Sequence, residues 1–271
     1  MPQNEVLKQP LYGAYLELLK RSLGDFLYDT DASRRHHFPP YTYTRLQTGE
    51  KITLSDYDSL KEEGLIDSKS AHTLIGLKRM NQLQAAIETL DNEGIQGDLL
   101  EAGVLRGGAC LLMRAVLKAL QNDQRTVWVA DSFQGFPEAE LTAHGVKNPQ
   151  QFNRQAASLA EVKALFSRYQ LLDEQVRFLP GFFEDSLHQA PVKSLALLRL
   201  DSDFYASTAC TLKHLYPKLV TGGFVIIDDY YIFEGCRRAV REYRGTHQIK
   251  TPLERIDAAA VFWRKEAHKT P

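Results

Sequence analysis

Two short stretches hold the residues with most chemical potential. In LLRLDSDFYAST (197–208) an apolar run stops at Asp201 and Asp203, and in GGFVIIDDYY (222–231) another stops at Asp228 and Asp229. Residues two apart in an extended chain point to the same side, so Asp201 and Asp203 face one site. Asp228 and Asp229 are adjacent and both reach that site only if the strand turns there. If the two strands are neighbours, three or four carboxylates converge. Unpaired, they repel, and at least one is expected to hold a proton. A hard divalent cation relieves the crowding, and few carboxylates completed by water or substrate favour Mg²⁺ over a soft metal. No Cys/His cluster has zinc-like spacing.

Further acids end other apolar runs. GDLLEAG (97–103) stops at Glu101 and Gly103, and RTVWVADS (125–132) stops at Asp131 and Ser132. Glycines at 103, 107 and 108 allow a tight turn and close approach of backbone to a ligand. Position 105 is Leu, so this is not the G-x-G-x-x-G of dinucleotide sites. The acid-x-G-x-x-x-G spacing of Glu101, Gly103 and Gly107 resembles the first motif of class I S-adenosylmethionine-dependent methyltransferases. A carboxylate at Asp131 can accept hydrogen bonds from both ribose hydroxyls of a nucleoside. In PGFFEDSL, Phe182 or Phe183 could cover an adenine face, with Asp185 or Ser186 reaching its edge. Each of these also has a plain structural reading, as a helix cap or a core aromatic. The Asp-Ser-Asp triplet has a competitor too: the D-x-D of metal-dependent glycosyltransferases, which leaves the glycine turn and the second acidic pair unexplained.

Strands and helices must alternate to bring these acids together. Predicted strands cover 97–103, 125–132, 176–181, 194–201 and 222–229, with two closing strands in 253–265. Between them lie helices such as GACLLMRAVLKAL, STACTLKHLYPKL and SLAEVKALFSRY, the last opening with a capping-box spacing at Ser158 and Glu161. The strands are near-continuous apolar runs, as expected when both faces are covered. The fold class is therefore α/β, with a mostly parallel seven-stranded sheet and helices on both faces. In such sheets ligands bind beyond the carboxyl ends of the strands, where all these acids sit.

Ahead of the sheet stands an N-terminal helical extension, residues 1–93, before a catalytic domain at 94–266. Leu16, Leu19, Leu23 and Phe26 have helical spacing, as do Leu74, Leu77, Leu83, Ile87 and Leu90, with Gly94 closing the second helix. These helices are expected to pack on the body or on a second subunit. Residues 136–157 break the rhythm and read as a lid or binding loop. His144 within it is read as a solvated loop residue that could stand in as a base, and His36 and His37 as loop residues.

Composition narrows the class. Of 271 residues, 44% are apolar and 25% charged, with a net charge of −1 and no basic tract, so a nucleic-acid partner is not expected. No run is long enough to span a bilayer and no signal peptide is expected, which points to the cytoplasm. Cys110, Cys210 and Cys236 read as small buried hydrophobes in a reducing compartment.

Several blocks in order carry a family resemblance: GDLLEAGVLRGGACLLMRAVL, VWVADSFQGFP, LALLRLDSDFYASTACTLKHLYPKLVTGGFVIIDDY and CRRAVREYR. Together with YLELLKRSL and TLIGLKRMNQLQ they resemble the macrocin O-methyltransferase family over about residues 10–265. The resemblance implies a Rossmann-like methyltransferase fold, S-adenosylmethionine as donor, Mg²⁺, a small natural-product hydroxyl (often on a deoxysugar) as acceptor, and a homodimer. By motif it implies Asp201, Asp228 and Asp229 as metal ligands, Asp203 as general base, and Glu101, Gly103 and Asp131 at the donor. The family commonly has Gly and Leu where this chain has Ser202 and Phe204. Ser202 is expected to point away from the metal, and Phe204 to reshape the acceptor pocket.

Overall fold

A computed structural model describes residues 3–28, 43–44, 51–52, 57–66, 68, 70–143, 145, 147–153 and 156–267. His36, His37 and His144 lie outside the described residues. Seven strands form one sheet: β1 (Asp98–Ala102), β2 (Val127–Asp131), β3 (Val176–Pro180), β4 (Leu195–Leu200), β5 (Leu219–Ile227), β6 (Glu254–Arg255) and β7 (Val261–Arg264). Their order is β3-β2-β1-β4-β5-β7-β6. The first five are parallel, and the β6–β7 pair closes the β5 edge antiparallel, so the sheet is mixed.

Alternation along each strand sends residues to opposite cores. In β1, Leu99 joins one cluster and Leu100 the other, and both are fully buried. The longer helices are α1 (Gln3–Leu23), α2 (Gly76–Asn92), α3 (Gly108–Ala119), α4 (Leu159–Arg168), α5 (Tyr205–Leu215) and α6 (Glu234–Thr246). Leu16, Leu19 and Leu23 of α1 and Leu83, Ile87 and Leu90 of α2 share the first cluster with α3, α4 and β1. The N-terminal helices thus cover the sheet through the same core as the body. On the other face, Leu212 and Leu215 of α5 and Val240 of α6 pack with Leu198, Val225 and Trp263.

Local chemistry sets the element boundaries. The predicted cap forms at α4, where Ser158 accepts from the Glu161 amide and the Glu161 carboxylate accepts from the Ser158 amide. Helix α2 begins at Gly76, so Leu74 precedes it and lines the cavity described below, rather than sharing the helical face. The 136–157 segment holds two short helices, Glu138–Ala143 and Pro149–Asn153.

Candidate active site

The sheet changes winding direction between β1 and β4, which are hydrogen-bonded neighbours reached from opposite sides. That is the switch point where α/β sheets open a crevice. A cavity of about 530 Å³ lies there, within the size range of small-molecule sites. Its wall includes Glu101, Gly103, Asp131, Ser132, Phe182, Asp201, Asp203, Asp228 and Asp229, all predicted from sequence. Gly107 stands back from it at the entry to α3, and Asp185 is exposed outside it, while Phe183 and Glu184 take part.

Gly103 makes the crevice possible. Its φ is +86°, and a Cβ there would sit 1.8 Å from the Asp201 carbonyl oxygen, so the ends of β1 and β4 touch backbone to backbone. Next to it, Asp131 accepts from the Val104 amide at 2.8 Å and from the Phe133 amide at 2.8 Å, one on each oxygen. Burial still pushes its carboxyl above the usual range, against those backbone donors. Glu101 is deeper: it pairs with Arg199 and accepts from the Cys110 thiol at 2.8 Å. Its burial outweighs the Arg199 charge and pushes its pKa up to about 7.

At the ends of β4 and β5, oxygens of Asp201, Asp203 and Asp229 lie within 4.8 Å of one another. Asp203 reaches this position through a left-handed backbone, φ +55°, and its amide donates to Asp229 at 3.2 Å. Burial first, then the charges of Asp201 and Asp228, push the Asp203 carboxyl up to about 8. Burial and Asp228 push Asp201 up to about 6, although Arg199 donates to it at 3.0 Å. Asp229 is also raised well above the carboxylate range, by burial and then by Asp203. Such a group of hard oxygens suits a divalent cation.

Asp228 is placed differently from the other three. Its two oxygens accept from Arg199 and Arg79, one each, so it faces two guanidiniums rather than the open cluster. Both arginines are buried and neither was singled out from sequence. A signal existed: Arg199 interrupts the apolar strand LALLRL, and Arg79 lies on the buried face of α2 with Met80 and Leu83. Ser202 lies at the cavity wall with its hydroxyl 3.1 Å from that of Thr208. Phe204 is buried behind the cavity wall, its ring 5.1 Å from Phe136 and 5.8 Å from Phe233.

Comparison with known proteins decides the family. The model of macrocin-O-methyltransferase (TylF) matches residues 12–265. The chain belongs to the macrocin O-methyltransferase family. This O-methyltransferase is 45% identical over 259 residues to mycinamicin III 3''-O-methyltransferase of Micromonospora griseorubida, covering 93% of this chain and 96% of the relative. It is 50% identical over 201 residues, 73% of this chain and 77% of the relative, to a tetracenomycin-C 4'-O-methyltransferase of Streptomyces olivaceus, "8-demethyl-8-(2,3-dimethoxy-alpha-L-rhamnosyl)-tetracenomycin-C 4'-O-methyltransferase". Its fold superposes on the O-methyltransferase NovP with a TM-score of 0.81 at 40% identity, over 94% of this chain and 100% of that one. The Asp-Ser-Asp triplet therefore belongs to a methyltransferase, and the glycosyltransferase reading falls. Among the described residues, no helix is long and apolar enough to cross a membrane.

Proposed function

We propose that this O-methyltransferase uses S-adenosylmethionine and Mg²⁺ to methylate a hydroxyl of a small natural product, on a deoxysugar as the names of its relatives suggest. The observation that carries the metal dependence is the group of Asp201, Asp203 and Asp229 oxygens within 4.8 Å, facing the same cavity as Gly103 and Asp131. Asp201 and Asp229 would hold the cation. Asp228 can join them without leaving its arginines, because a carboxylate oxygen in one hydrogen bond keeps a second lone pair. A bound Mg²⁺ would stabilise negative charge developing on the acceptor oxygen, whose hydroxyl is otherwise too weak an acid to react.

Asp203 takes the proton. It sits beside the residues that would hold the cation, and its raised pKa of about 8 suits a base working near neutrality. On the donor side, Asp131 is oriented by two backbone amides so that its remaining lone pairs face the cavity, where ribose hydroxyls can donate to them. Phe182 and Phe183 supply an apolar wall for the base, and Gly103 lets the donor approach the backbone. Methyl transfer is an in-line displacement at an already activated carbon, so the protein's task is to hold oxygen and carbon at about 3–3.5 Å.

Titration with EDTA followed by Mg²⁺ tests this reading. Methyl transfer to a deoxysugar-bearing acceptor, read as a mass increase, should vanish and then return. Transfer that survives thorough chelation would remove the cation from the reaction. We extend the reading to a homodimer. On α1, Leu11 is 70% and Leu18 59% exposed, with Tyr15 between them on the same face, an apolar stripe that a second copy could cover. Sedimentation velocity should give twice the chain mass, and a monomer at micromolar concentration would reject the dimer.

A further inference from the structure

Along the cavity wall runs a chain of alternating charges whose two arginines and Asp257 the proposed reaction does not use. Glu101, Arg199, Asp228, Arg79 and Asp257 follow one another through side-chain hydrogen bonds, and all are buried. Arg79 is the member that comes from outside the sheet. It lies in the first turn of α2, and its fork is spent in three directions. Nε donates to Asp257 Oδ2 at 2.7 Å, and Nη1 donates to Asp228. Nη2 donates to the Glu63 carbonyl at 2.7 Å and the Gly64 carbonyl at 3.3 Å.

Those carbonyls belong to a wall. Gly64, Leu65 and Ile66 line the cavity directly after them. The wall is also pressed against the entry to α2: a Cβ on Gly76 would come within 2.3 Å of the Gly64 nitrogen and 2.4 Å of the Glu62 carbonyl oxygen. Asp257 is itself fixed, since its other oxygen accepts from the Ala259 and Ala260 amides at 2.8 Å each. Arg79 thus touches the wall, the C-terminal turn and a carboxylate at the end of β5 at once.

We propose that Arg79 is a positioning residue that locks the 63–66 wall to the Asp228 carboxylate, so that acceptor cavity and cation site keep one register. The proposal rests on the metal-dependent reading above. A guanidinium can do this because its planar fork serves several acceptors at fixed angles, whereas lysine offers the same charge without the fork.

Arg79→Lys in the full chain is the test, because it holds the charge constant and leaves only geometry to change. Calorimetry without donor or acceptor should show Mg²⁺ affinity falling about ten-fold, as for other groups that orient metal ligands. S-adenosylhomocysteine affinity should stay at the wild-type value. Hydrogen exchange should quicken at the Gly64 and Leu65 amides, which donate to Lys61 and Leu60 at 3.1 and 2.8 Å, and stay unchanged at Gly103 and Val104. Unchanged Mg²⁺ affinity or unchanged exchange at 64–65 overturns the proposal. So does a parallel loss of S-adenosylhomocysteine affinity with faster exchange throughout, which would make Arg79 merely structural. If the lysine variant does not fold, Asp257→Asn removes the charge from one anchor and keeps an acceptor for Ala259 and Ala260. It should shift the same two readouts in the same direction by less, and no shift overturns the proposal. If wild-type protein binds no Mg²⁺, the metal reading has failed, and the exchange at 64–65 alone decides the lock.

Discussion

On the β1–β2 side of the cavity, Asp131 has a backbone amide on each oxygen. On the β4–β5 side, Asp201, Asp203 and Asp229 crowd within 4.8 Å, with Arg199 on one of them and a backbone amide on another. The first arrangement is a single carboxylate held by the backbone, and on the reading above it offers a fixed acceptor to neutral hydroxyls. The second is electrostatically unfinished: its carboxyl groups rise toward neutral pH because like charges lie in a buried place. On the reading proposed above, the half that meets a neutral group is held by the chain's own amides, while the half that would hold a cation keeps its like charges crowded without one.

The largest effect should come from breaking the unfinished side. Asp201→Asn should lower turnover by about three powers of ten or more, since it removes a ligand to a charge worth several kcal/mol in the transition state. S-adenosylhomocysteine affinity should hold at the wild-type value in calorimetry. A parallel loss of both would mean that the two sides are not separable. Asp203→Asn comes next, with turnover lower by about 10²–10⁴-fold, the range for a lost general base. Asparagine tolerates the left-handed backbone that Asp203 occupies, so this variant should fold without added strain. Unchanged turnover would move the base elsewhere.

The complementary break falls on the finished side. Asp131→Ala should weaken S-adenosylhomocysteine binding by about 10–100-fold, as two charge-assisted hydrogen bonds are lost and the Val104 and Phe133 amides lose their acceptor. Mg²⁺ affinity should not move. A shift in Mg²⁺ affinity as large as that in donor affinity would contradict the contrast.

The contrast was partly legible in the sequence, for a physical reason. A parallel strand covered on both faces is an unbroken apolar run, so the acid that ends it marks the carboxyl edge of the sheet. Glu101, Asp131, Asp201 and Asp229 stood out on that ground, and the strand–helix alternation placed them together. Gly103 was legible as a close-approach glycine, although its neighbour, the Asp201 carbonyl, was not. Arg79 and Arg199 were missed because a buried charge is read only with its partners, and those partners are 149 and 29 residues away in the two contacts to Asp228. Leu74 was assigned to a helical face because periodicity does not register that Gly76, at φ +69°, begins the helix. Asp185 was assigned to the cavity because a four-residue helix turns too sharply for spacing alone to say which side chain faces in.

Protons should compete with the cation at the ends of β4 and β5. Carboxyls raised to about 6 at Asp201 and about 8 at Asp203 are above the unfolded values of about 4. Between those limits the folded chain binds protons that the unfolded chain releases, so the metal-free protein should lose stability as pH rises from about 4 to about 8. With Mg²⁺ present the loss should be offset, and the gap in Tm between Mg²⁺ and EDTA should widen with rising pH. A gap that is the same at pH 5 and pH 8, about the two ends of this window, would show that these carboxyls do not hold the cation.

The smallest effect belongs to a residue behind both sides. Phe204 follows the Asp-Ser-Asp triplet, is buried, and touches Phe136 and Phe233 rather than the cavity itself. Phe136 is the wall residue, so on the reading above Phe204 would act on the acceptor through it. Phe204→Leu leaves a gap where a ring edge met two others. Acceptor KM should change by less than about ten-fold, equivalent to about 1.4 kcal/mol or less, with turnover and Mg²⁺ affinity unaltered. A loss of Mg²⁺ affinity would mean that the aromatic trio supports the carboxylates rather than the acceptor wall, and would move Phe204 to the unfinished side of the contrast.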